Sequence, residues 1–409
     1  MPANRRSVFV LFSSLFLLAI LSQPTRAGEP ADAGLKTWLE TNIPLYMQES
    51  RMPGFSIAVV QDGKTIYAEG FGARDPRQNL PATAQTLYGV GSITKSFVAI
   101  GIMQLVEAGK IRLDDPVSRH IPFDLGIEGK PITIHHLLTH TSGLGYGFSS
   151  ATPLGALYTE RRTDFDPDDG PLVEVVERLC RLPLVCHPGA AWNYSVSSDV
   201  LGRLVEVVSG QPFDRFLEER IFAPLGMVDT GFEVPPDKLA RLATLYERST
   251  GDGMAPVETP ANSRFSGGVT TFSGGGGLIA TMADYFRFTE ALRRNGELDG
   301  VRLLGRKTVA YMTCNHLPGD LADMGQPSFT ETSFAGIGYG LGFSVMLDPA
   351  KAGVIATPGE YAWGGYASTY FWVDPVEDIT VIFLTQLQPS GCYPLRQELR
   401  ALTYQALVD

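Results

Sequence analysis

Two residues with complementary chemistry, Ser92 and Lys95, lie three positions apart in the stretch YGVGSITKSFVAIGIMQLVEAGK at 88–110. Residues at i and i+3 share a face of a helix, so the lysine amine can reach the serine hydroxyl. A serine hydroxyl is a weak nucleophile until a base takes its proton, and a lysine desolvated in a buried helix can serve as that base. Taken alone, the spacing is more often that of a helix-capping serine beside a solvated lysine. The apolar helix that follows leaves Lys95 little solvent-facing surface, and this favours the chemical interpretation.

A tyrosine, Tyr194, stands just before a second predicted helix that begins near Ser197. A phenol in that place can exchange protons with Ser92 and Lys95 as a general acid or base. The alternative is a packing tyrosine with a hydrogen-bonded hydroxyl, which is the usual fate of a buried tyrosine. Tyr194 is therefore a candidate only in combination with the serine and the lysine.

The elements that would position these residues are strands at both ends of the chain. The segment GFSIAVVQDGKTIYAEGFG (54–72) predicts a β-hairpin that turns at Asp62 and Gly63. The helix that carries Lys95 is apolar on nearly all sides, so it belongs in the interior, with Gly109 as its stop. The C-terminal third returns to strands in GYGLGFSVML, GYASTYFWVDP and DITVIFLTQ, and a last helix is expected at about 395–407.

Between these ends, from about residue 115 to 265, the sequence predicts helices joined by Pro-, Gly- and Asp-rich connections and no strand. We therefore predict an α/β (α+β) fold, an antiparallel sheet flanked by helices and built from both chain ends, with an inserted, mostly helical domain. An amphipathic helix is also expected at about 35–43. The predicted division is a signal peptide at 1–27, a discontinuous sandwich domain at 28–115 and 266–409, and a helical domain at 116–265, with the active site between the two domains.

The N-terminus has the pattern of a secretory signal peptide. Arg5 and Arg6 precede an apolar run at 8–21, and small residues follow up to Ala27. The run is too short for a convincing membrane span, so no stable membrane insertion is expected after cleavage near Ala27. This pattern predicts an exported protein, periplasmic or secreted.

Charge and cysteine content narrow the function classes further. The 409-residue chain has a formal net charge of -11, and loss of the three arginines within 1–27 makes it -14. An acidic protein of this kind is a poor partner for nucleic acid or an anionic membrane. The four cysteines show no metal-ligand spacing, and their pairing stays open, with thiols favoured. They are Cys180, Cys186, Cys314 and Cys392.

Five blocks, in order, resemble the serine β-lactamase and penicillin-binding-protein superfamily, in its class C-like branch. The blocks are GSITK (91–95), TIHHLLTHTSGL (133–144), YSV (194–196), SGGGGLIATMADYFRF (273–288) and AWGGYASTYFWVDP (362–375). Together they are far more specific than Ser-x-x-Lys, and the resemblance extends from about residue 33 to the C-terminus. It implies an α/β sandwich with a mostly helical domain and an acyl-enzyme mechanism that uses no metal and no cofactor.

The resemblance also implies roles for individual residues. Ser92 matches the acylated nucleophile and Lys95 its base. Tyr194 matches the proton shuttle that helps to protonate the leaving group and to activate the deacylating water.

The third motif of the family, Lys-Thr-Gly, corresponds to Trp363, Gly364 and Gly365, expected on an edge strand that borders the site. The next residue, Tyr366, should supply one N–H group of the oxyanion hole, and Ser92 the other. Glycine suits two of these positions because the substrate must approach the backbone closely.

Two departures from the β-lactamase pattern shift the expected substrate. Val196 stands where those enzymes have an asparagine whose amide would hold a β-lactam side chain. Trp363 replaces a lysine that would bind a substrate carboxylate, and an indole offers an apolar wall instead. Both departures resemble family VIII carboxylesterases, so we expect hydrolysis of short or medium acyl esters. The alternatives are a β-lactamase or D,D-peptidase, and an acyltransferase that uses the same acyl-enzyme.

Other features of the sequence are better explained structurally. His135, His136 and His140 cluster in one segment, but no His-Glu-x-x-His pattern accompanies them, so they are expected to be structural. Two long loops, at about 145–171 and 315–335, are candidate lids over the site.

Overall fold

The fold is described from a computed structural model. The structure describes residues 37, 40–42, 44–45, 53–121, 126–127, 129–149, 153–249, 253–326, 328–329, 332–405 and 407. The predicted signal peptide at 1–27 lies outside the described residues. Of the helix expected at 35–43, residues 37 and 40–42 are described, and they are helical.

The centre of the molecule is an eight-stranded sheet built from both ends of the chain. Its strands are β1 Gly54–Gln61, β2 Lys64–Asp75, β3 Leu80–Pro81, β4 Ile337–Tyr339, β5 Ser344–Met346, β6 Tyr361–Gly364, β7 Tyr370–Asp374 and β8 Ile379–Thr385. Their order is β4-β5-β6-β7-β8-β1-β2-β3, and every neighbouring pair is antiparallel. The predicted antiparallel sheet flanked by helices is confirmed.

The other described elements include α-helices and short strands outside this sheet. The helices are α1 Thr94–Glu107, α2 Ile134–Leu138, α3 Pro153–Glu160, α4 Leu172–Leu179, α5 Ser197–Ser209, α6 Phe213–Leu217, α7 Ala223–Leu225, α8 Met282–Arg293, α9 Arg306–Met312, α10 Pro349–Ala352 and α11 Leu395–Tyr404. The other strands are Tyr88–Gly89, Gly126–Ile127, Lys130–Pro131, Leu245–Arg248, Met254–Glu258, Ile279–Ala280, Glu297–Leu298, Val301–Arg302, Ser328–Phe329, Thr332–Ser333 and Leu387–Gln388. No helix within the described residues is both long and apolar enough to cross a membrane.

Alternating side chains of the sheet build two apolar layers. In β1, Phe55, Ile57 and Val59 belong to the layer that also contains Leu395 and Leu399 of α11. Alternate β-strand side chains point to opposite faces, which leaves the other face of the sheet for the larger core. There Ala58 and its neighbours share a cluster with apolar residues of α1, α5 and α8. The sheet is therefore sandwiched between helices, with α1 in the interior.

The local predictions at the N-terminal end agree with the structure. β1 and β2 form a hairpin, and its turn residues Asp62 and Gly63 have φ of 51° and 73°. Positive φ at both central positions is the geometry that an Asp-Gly turn favours. Every residue of α1 from Thr94 to Leu105 is buried, and Gly109 follows its end with φ 67°.

Two local predictions fail. The segment 115–265 was expected to lack strands, yet Leu245–Arg248 and Met254–Glu258 pair as an antiparallel hairpin. The second of these strands is largely exposed, so its sequence lacks the apolar alternation by which a strand is recognised. GYGLGFSVML is not one strand but two, β4 and β5. Gly342 adopts φ 89° between them, a conformation that glycine permits, and the chain turns back on itself.

Candidate active site

Ser92 sits in a single 3₁₀ turn, Gly91–Ile93, that leads directly into α1. The segment before it is fixed on both sides. The N–H of Val90 donates to the Leu278 carbonyl at 2.9 Å, and the Thr369 hydroxyl donates to the Val90 carbonyl at 2.7 Å. The serine is half-buried. The backbone that leads to Ser92 is thus held by Leu278 on one side and by the β6–β7 turn on the other.

Lys95 lies in the first turn of α1 and is 1 % exposed. Its Nζ donates to Ser92 Oγ at 3.3 Å and to the backbone carbonyl of Gly275 at 2.5 Å. The i, i+3 spacing therefore brings the amine to the hydroxyl as predicted. The Gly275 carbonyl, from a loop 180 residues away, anchors the amine from the other side.

Tyr194 reaches the same place from the connection before α5. Its ring centroid is 4.6 Å from Lys95 Nζ. Aromatic rings surround it, with centroids at 4.8 Å for His140, 5.6 Å for Trp363 and 5.9 Å for Trp192. The imidazole of His140 is buried, and this burial holds its pKa well below the usual range, so the ring is neutral. The cation over the tyrosine ring is Lys95.

The third expected segment crosses in front of Ser92. Trp363 and Gly364 end β6, and Gly365 and Tyr366 begin the turn to β7. A Cβ on Gly365 would lie 2.5 Å from the Val90 carbonyl and 3.4 Å from the Ser92 nitrogen. This contact brings the backbone after β6 against the backbone at Ser92, as an oxyanion hole formed by the N–H groups of Ser92 and Tyr366 requires.

The position of β6 in the sheet corrects one expectation. β6 is not an edge strand, because β4 and β5 lie outside it. Its pairing with β5 is confined to Tyr361 and Ala362, whereas Trp363 and Gly364 continue beyond it. Trp363 and Gly364 therefore have no paired strand on the β5 side, although β6 as a whole is an internal strand of the sheet.

A cavity of about 540 Å³ joins these pieces. Ser92, Tyr194, Trp363, Gly364, Gly365 and Tyr366 all line it. Lys95 lies behind Ser92, outside the lining. Phe148 and Phe334, one from each predicted lid loop, also line the cavity. Seven of its lining residues are aromatic, and Trp363 among them is 8 % exposed. The structure thus brings Ser92, Tyr194 and the segment 363–366 to one pocket, with Lys95 behind the serine.

Comparison with known proteins identifies the family. The Beta-lactamase family model matches residues 39–405. The chain belongs to the Beta-lactamase family. The large antiparallel sheet with flanking helices is the fold of its structural neighbours.

Proteins similar to this chain include an esterase and a hydrolase with promiscuous acyltransferase activity. Esterase EstB of Burkholderia gladioli is 31% identical over 91% of this chain and 96% of its own. Protein Rv1367c of Mycobacterium tuberculosis is 34% identical over 83% of this chain and 87% of its own. The solved structure of "EstCE1, a hydrolase with promiscuous acyltransferase activity" has a TM-score of 0.79 at 28% identity, covering 91% of this chain and 99% of that one.

One group that sequence reasoning missed is a cation in the cavity. Arg396 of α11 lines it, stacks over the Tyr370 ring at 5.0 Å and donates to Ser390 Oγ at 2.8 Å. A Cβ on Gly364 would overlap this guanidinium. Among the described residues no carboxylate forms an ion pair with Arg396. The pocket therefore contains a guanidinium, although Trp363 replaces the lysine of the third motif.

A second missed group is the carboxyl of Asp199, on α5. It is 1 % exposed and accepts hydrogen bonds from Ser273 Oγ at 2.6 Å and from the N–H of Gly275 at 2.8 Å. Burial raises its pKa to about 6, against the opposing effect of the Lys95 charge. An aspartate three residues into a helix carries no signal in the sequence that separates it from a surface residue.

The remaining sequence candidates lie around the site. Val196 is fully buried and is not part of the cavity wall. His135 contacts His316 at 3.2 Å, and His136 accepts from the Thr133 N–H, which it helps to cap. Within the described ranges no cluster of three or more His, Cys, Asp or Glu side chains is arranged to hold a metal.

Proposed function

We propose that this protein is a serine carboxylesterase that hydrolyses short or medium acyl esters through an acyl-enzyme on Ser92. The observation that carries the proposal is a half-buried hydroxyl at an apolar cavity with a buried amine 3.3 Å behind it. An activated serine hydrolase needs that pair of groups. Membership of the Beta-lactamase family and the likeness to EstB support the hydrolytic interpretation.

In the proposed acylation, Lys95 takes the proton of Ser92 while Oγ bonds to the acyl carbon. The carbonyl oxygen becomes an oxyanion, which the N–H groups of Ser92 and Tyr366 stabilise. As the intermediate collapses, the C–O bond breaks and Tyr194 delivers a proton to the alcohol, replenished from the Lys95 ammonium. Deacylation repeats these steps with water as the nucleophile and releases the acid.

The cavity wall supports an uncharged acyl or alcohol group as the occupant. Trp363 stands edge to face against Tyr339, with centroids 5.2 Å apart, and is thereby held as a fixed apolar surface. Pockets of several hundred Å³ with mostly apolar walls are typical of small-molecule sites. The Phe148 ring, 64% exposed, lies at the same cavity.

Turnover of p-nitrophenyl butyrate tests the proposal. Ser92→Ala should abolish turnover, and a fluorophosphonate probe should add one label to the wild type and none to the variant, measured by intact mass. Ser96→Ala is a matched control on the same helix, because its hydroxyl is engaged with the Ile93 carbonyl at 2.6 Å. Full activity in the Ser92 variant, or no turnover of any ester by the wild type, would refute the esterase.

A β-lactamase or D,D-peptidase is the second candidate, and Arg396 favours it. A guanidinium without an acidic partner in the described structure can bind the carboxylate that β-lactams and peptide C-termini carry. Nitrocefin hydrolysis faster than ester hydrolysis would support this candidate. The promiscuous acyltransferase activity of EstCE1 makes acyl transfer the remaining alternative, and added alcohol acceptors would reveal it as ester exchange.

We also propose export, with cleavage near Ala27, on the strength of the N-terminal sequence. As partner of the mature protein we propose a small-molecule ester or β-lactam substrate, with no nucleic acid and no stable membrane insertion after signal cleavage. Intact mass of the protein recovered from the extracytoplasmic fraction would report the cleavage site. A chain found only in the cytoplasm with its N-terminus uncleaved would contradict the proposal.

A further inference from the structure

A chain of polar contacts connects a buried carboxyl group to the proposed base. Asp199 Oδ1 accepts a hydrogen bond from the Gly275 N–H at 2.8 Å, and the Gly275 carbonyl accepts one from Lys95 Nζ at 2.5 Å. The same amine is 3.3 Å from Ser92 Oγ. Through one glycine, the carboxyl therefore holds the carbonyl that aims the amine at the serine.

The second carboxyl oxygen is placed differently. Asp199 Oδ2 is fully buried and makes no hydrogen bond to any group within the described part of the chain. A Cβ on Gly275 would overlap Oδ2 and would lie 2.9 Å from the Tyr146 hydroxyl. A carboxylate in the interior is costly unless nearby donors and charges compensate it, so its place beside Lys95 calls for a role.

We propose that Asp199 is a positioning residue, which fixes Lys95 through Gly275 and supplies the buried negative charge that balances the ammonium formed when Lys95 takes the Ser92 proton. The proposal rests on the acyl-enzyme function proposed above. The proton moves from Ser92 Oγ to Lys95 Nζ, and Asp199 stays a carboxylate throughout. Serine hydrolases commonly orient their base by a third group in this way.

The charge of Asp199 depends on pH in an accessible range. Burial is the main effect and raises its pKa to about 6, while Lys95 and the donors Ser273 and Gly275 act in the opposite direction. Tyr146 is the other titratable group that faces it, and burial keeps that phenol neutral by raising its pKa. Above about pH 6 the carboxylate balances the ammonium, and below it the balance is lost.

The experiment measures the rate at which a fluorophosphonate labels Ser92, from about pH 5 to 8, by intact mass. In this reaction Oγ bonds to phosphorus, fluoride leaves, and Lys95 takes the proton. The wild-type labelling rate should fall in one step near pH 6 as the pH is lowered. Asp199→Asn keeps the hydrogen-bond acceptor but loses the charge, so labelling at about pH 7.5 should slow by about 10²-fold and lose that step.

Two further variants keep the test decisive if Asp199→Asn folds poorly. Ser273→Ala removes a donor that favours the ionised carboxyl, so the step should move to higher pH. Asp284→Asn is the matched control. That buried carboxyl also accepts from a backbone N–H and a hydroxyl, of Asp229 and Thr230, and lies outside the cavity wall. Its labelling profile should match the wild type.

The outcomes separate this inference from the function beneath it. If the wild type is never labelled at Ser92, the acyl-enzyme proposal fails and the role of Asp199 fails with it. If the wild type is labelled but shows no step near pH 6, or Asp199→Asn labels with the wild-type rate and profile, only the inference about Asp199 is overturned.

Discussion

Adjacent glycines at the end of β6 offer a direct test of how the backbone holds Ser92. The change is Gly365→Ala, with Gly364→Ala as its control one residue earlier. A Cβ on Gly365 would meet the backbone oxygen of Val90 at 2.5 Å and would overlap the Thr369 hydroxyl that donates to it. The three atoms nearest to a Cβ on Gly364 all belong to the guanidinium of Arg396, the end of a flexible side chain that can swing away.

The expected loss follows from the distance that the new methyl group requires. An ordinary contact starts at 3.4 Å, so the Val90 segment, two residues before Ser92, must retreat by about 1 Å. A displacement of about 1 Å in a catalytic group costs about 10²-fold in rate. That loss corresponds to about 2.7 kcal/mol in the activation free energy.

The assay is kcat for p-nitrophenyl butyrate, with circular dichroism and Tm to verify the fold. Gly365→Ala should lose about 10²-fold in kcat, and Gly364→Ala less than about tenfold. Equal losses in the two variants would show that the clash with Val90 does not reach the nucleophile. Wild-type kcat in Gly365→Ala would refute the placement of the oxyanion hole between β6 and Ser92.

Three other changes probe separate parts of the molecule. Trp363→Lys should lower ester turnover and favour carboxylate-bearing substrates, and an unchanged substrate profile would show that the indole does not contact substrate. Arg396→Gln should lower kcat/KM for an ester with a free carboxylate by about tenfold more than for its methyl ester, because a charged hydrogen bond is lost; equal effects on both would contradict this. Arg400→Ala leaves Glu360, 1 % exposed, without the arginine that pairs with it, and should lower the free energy of unfolding in urea by about 3–5 kcal/mol. A loss below about 1 kcal/mol would show that the buried pair contributes no more than an exposed salt bridge does.

The parts of the site that the sequence predicts well are those set by local geometry. The i, i+3 spacing of a helix brings Lys95 to Ser92 and depends on no distant part of the chain. An all-round apolar α1 has to be buried, and this buries the lysine with it. The Asp62–Gly63 turn is likewise fixed by two residues whose backbone preferences agree with the hairpin.

The parts that the sequence missed depend on long-range packing. Arg396 is an ordinary helix residue until α11 docks across β6 and lays the guanidinium on Gly364, which has no side chain to exclude it. Lys95 acquires its second acceptor from the loop at Gly275, 180 residues away. Neither contact has a period or a spacing in the sequence, so only the fold reveals them. Trp363 was placed near the site by the resemblance to a family and not by its own neighbours in the sequence. A family motif carries information about the fold, which local spacing lacks.

The coexistence of Trp363 and Arg396 narrows what a substrate must offer. The indole occupies the place where a lysine would have brought an ammonium, and it removes a charge from the wall close to Tyr194. The guanidinium enters instead from the other side of Gly364 and is held by Ser390 and the Tyr370 ring. A carboxylate bound there would therefore sit on the α11 side of β6 rather than against Tyr194. Neutral esters need no such contact, whereas a β-lactam would have to place its carboxylate toward α11 while its carbonyl stays between Ser92 and Tyr366. The ratio of β-lactam to ester turnover thus measures how well a β-lactam can bind its carboxylate at Arg396 while its carbonyl lies between Ser92 and Tyr366.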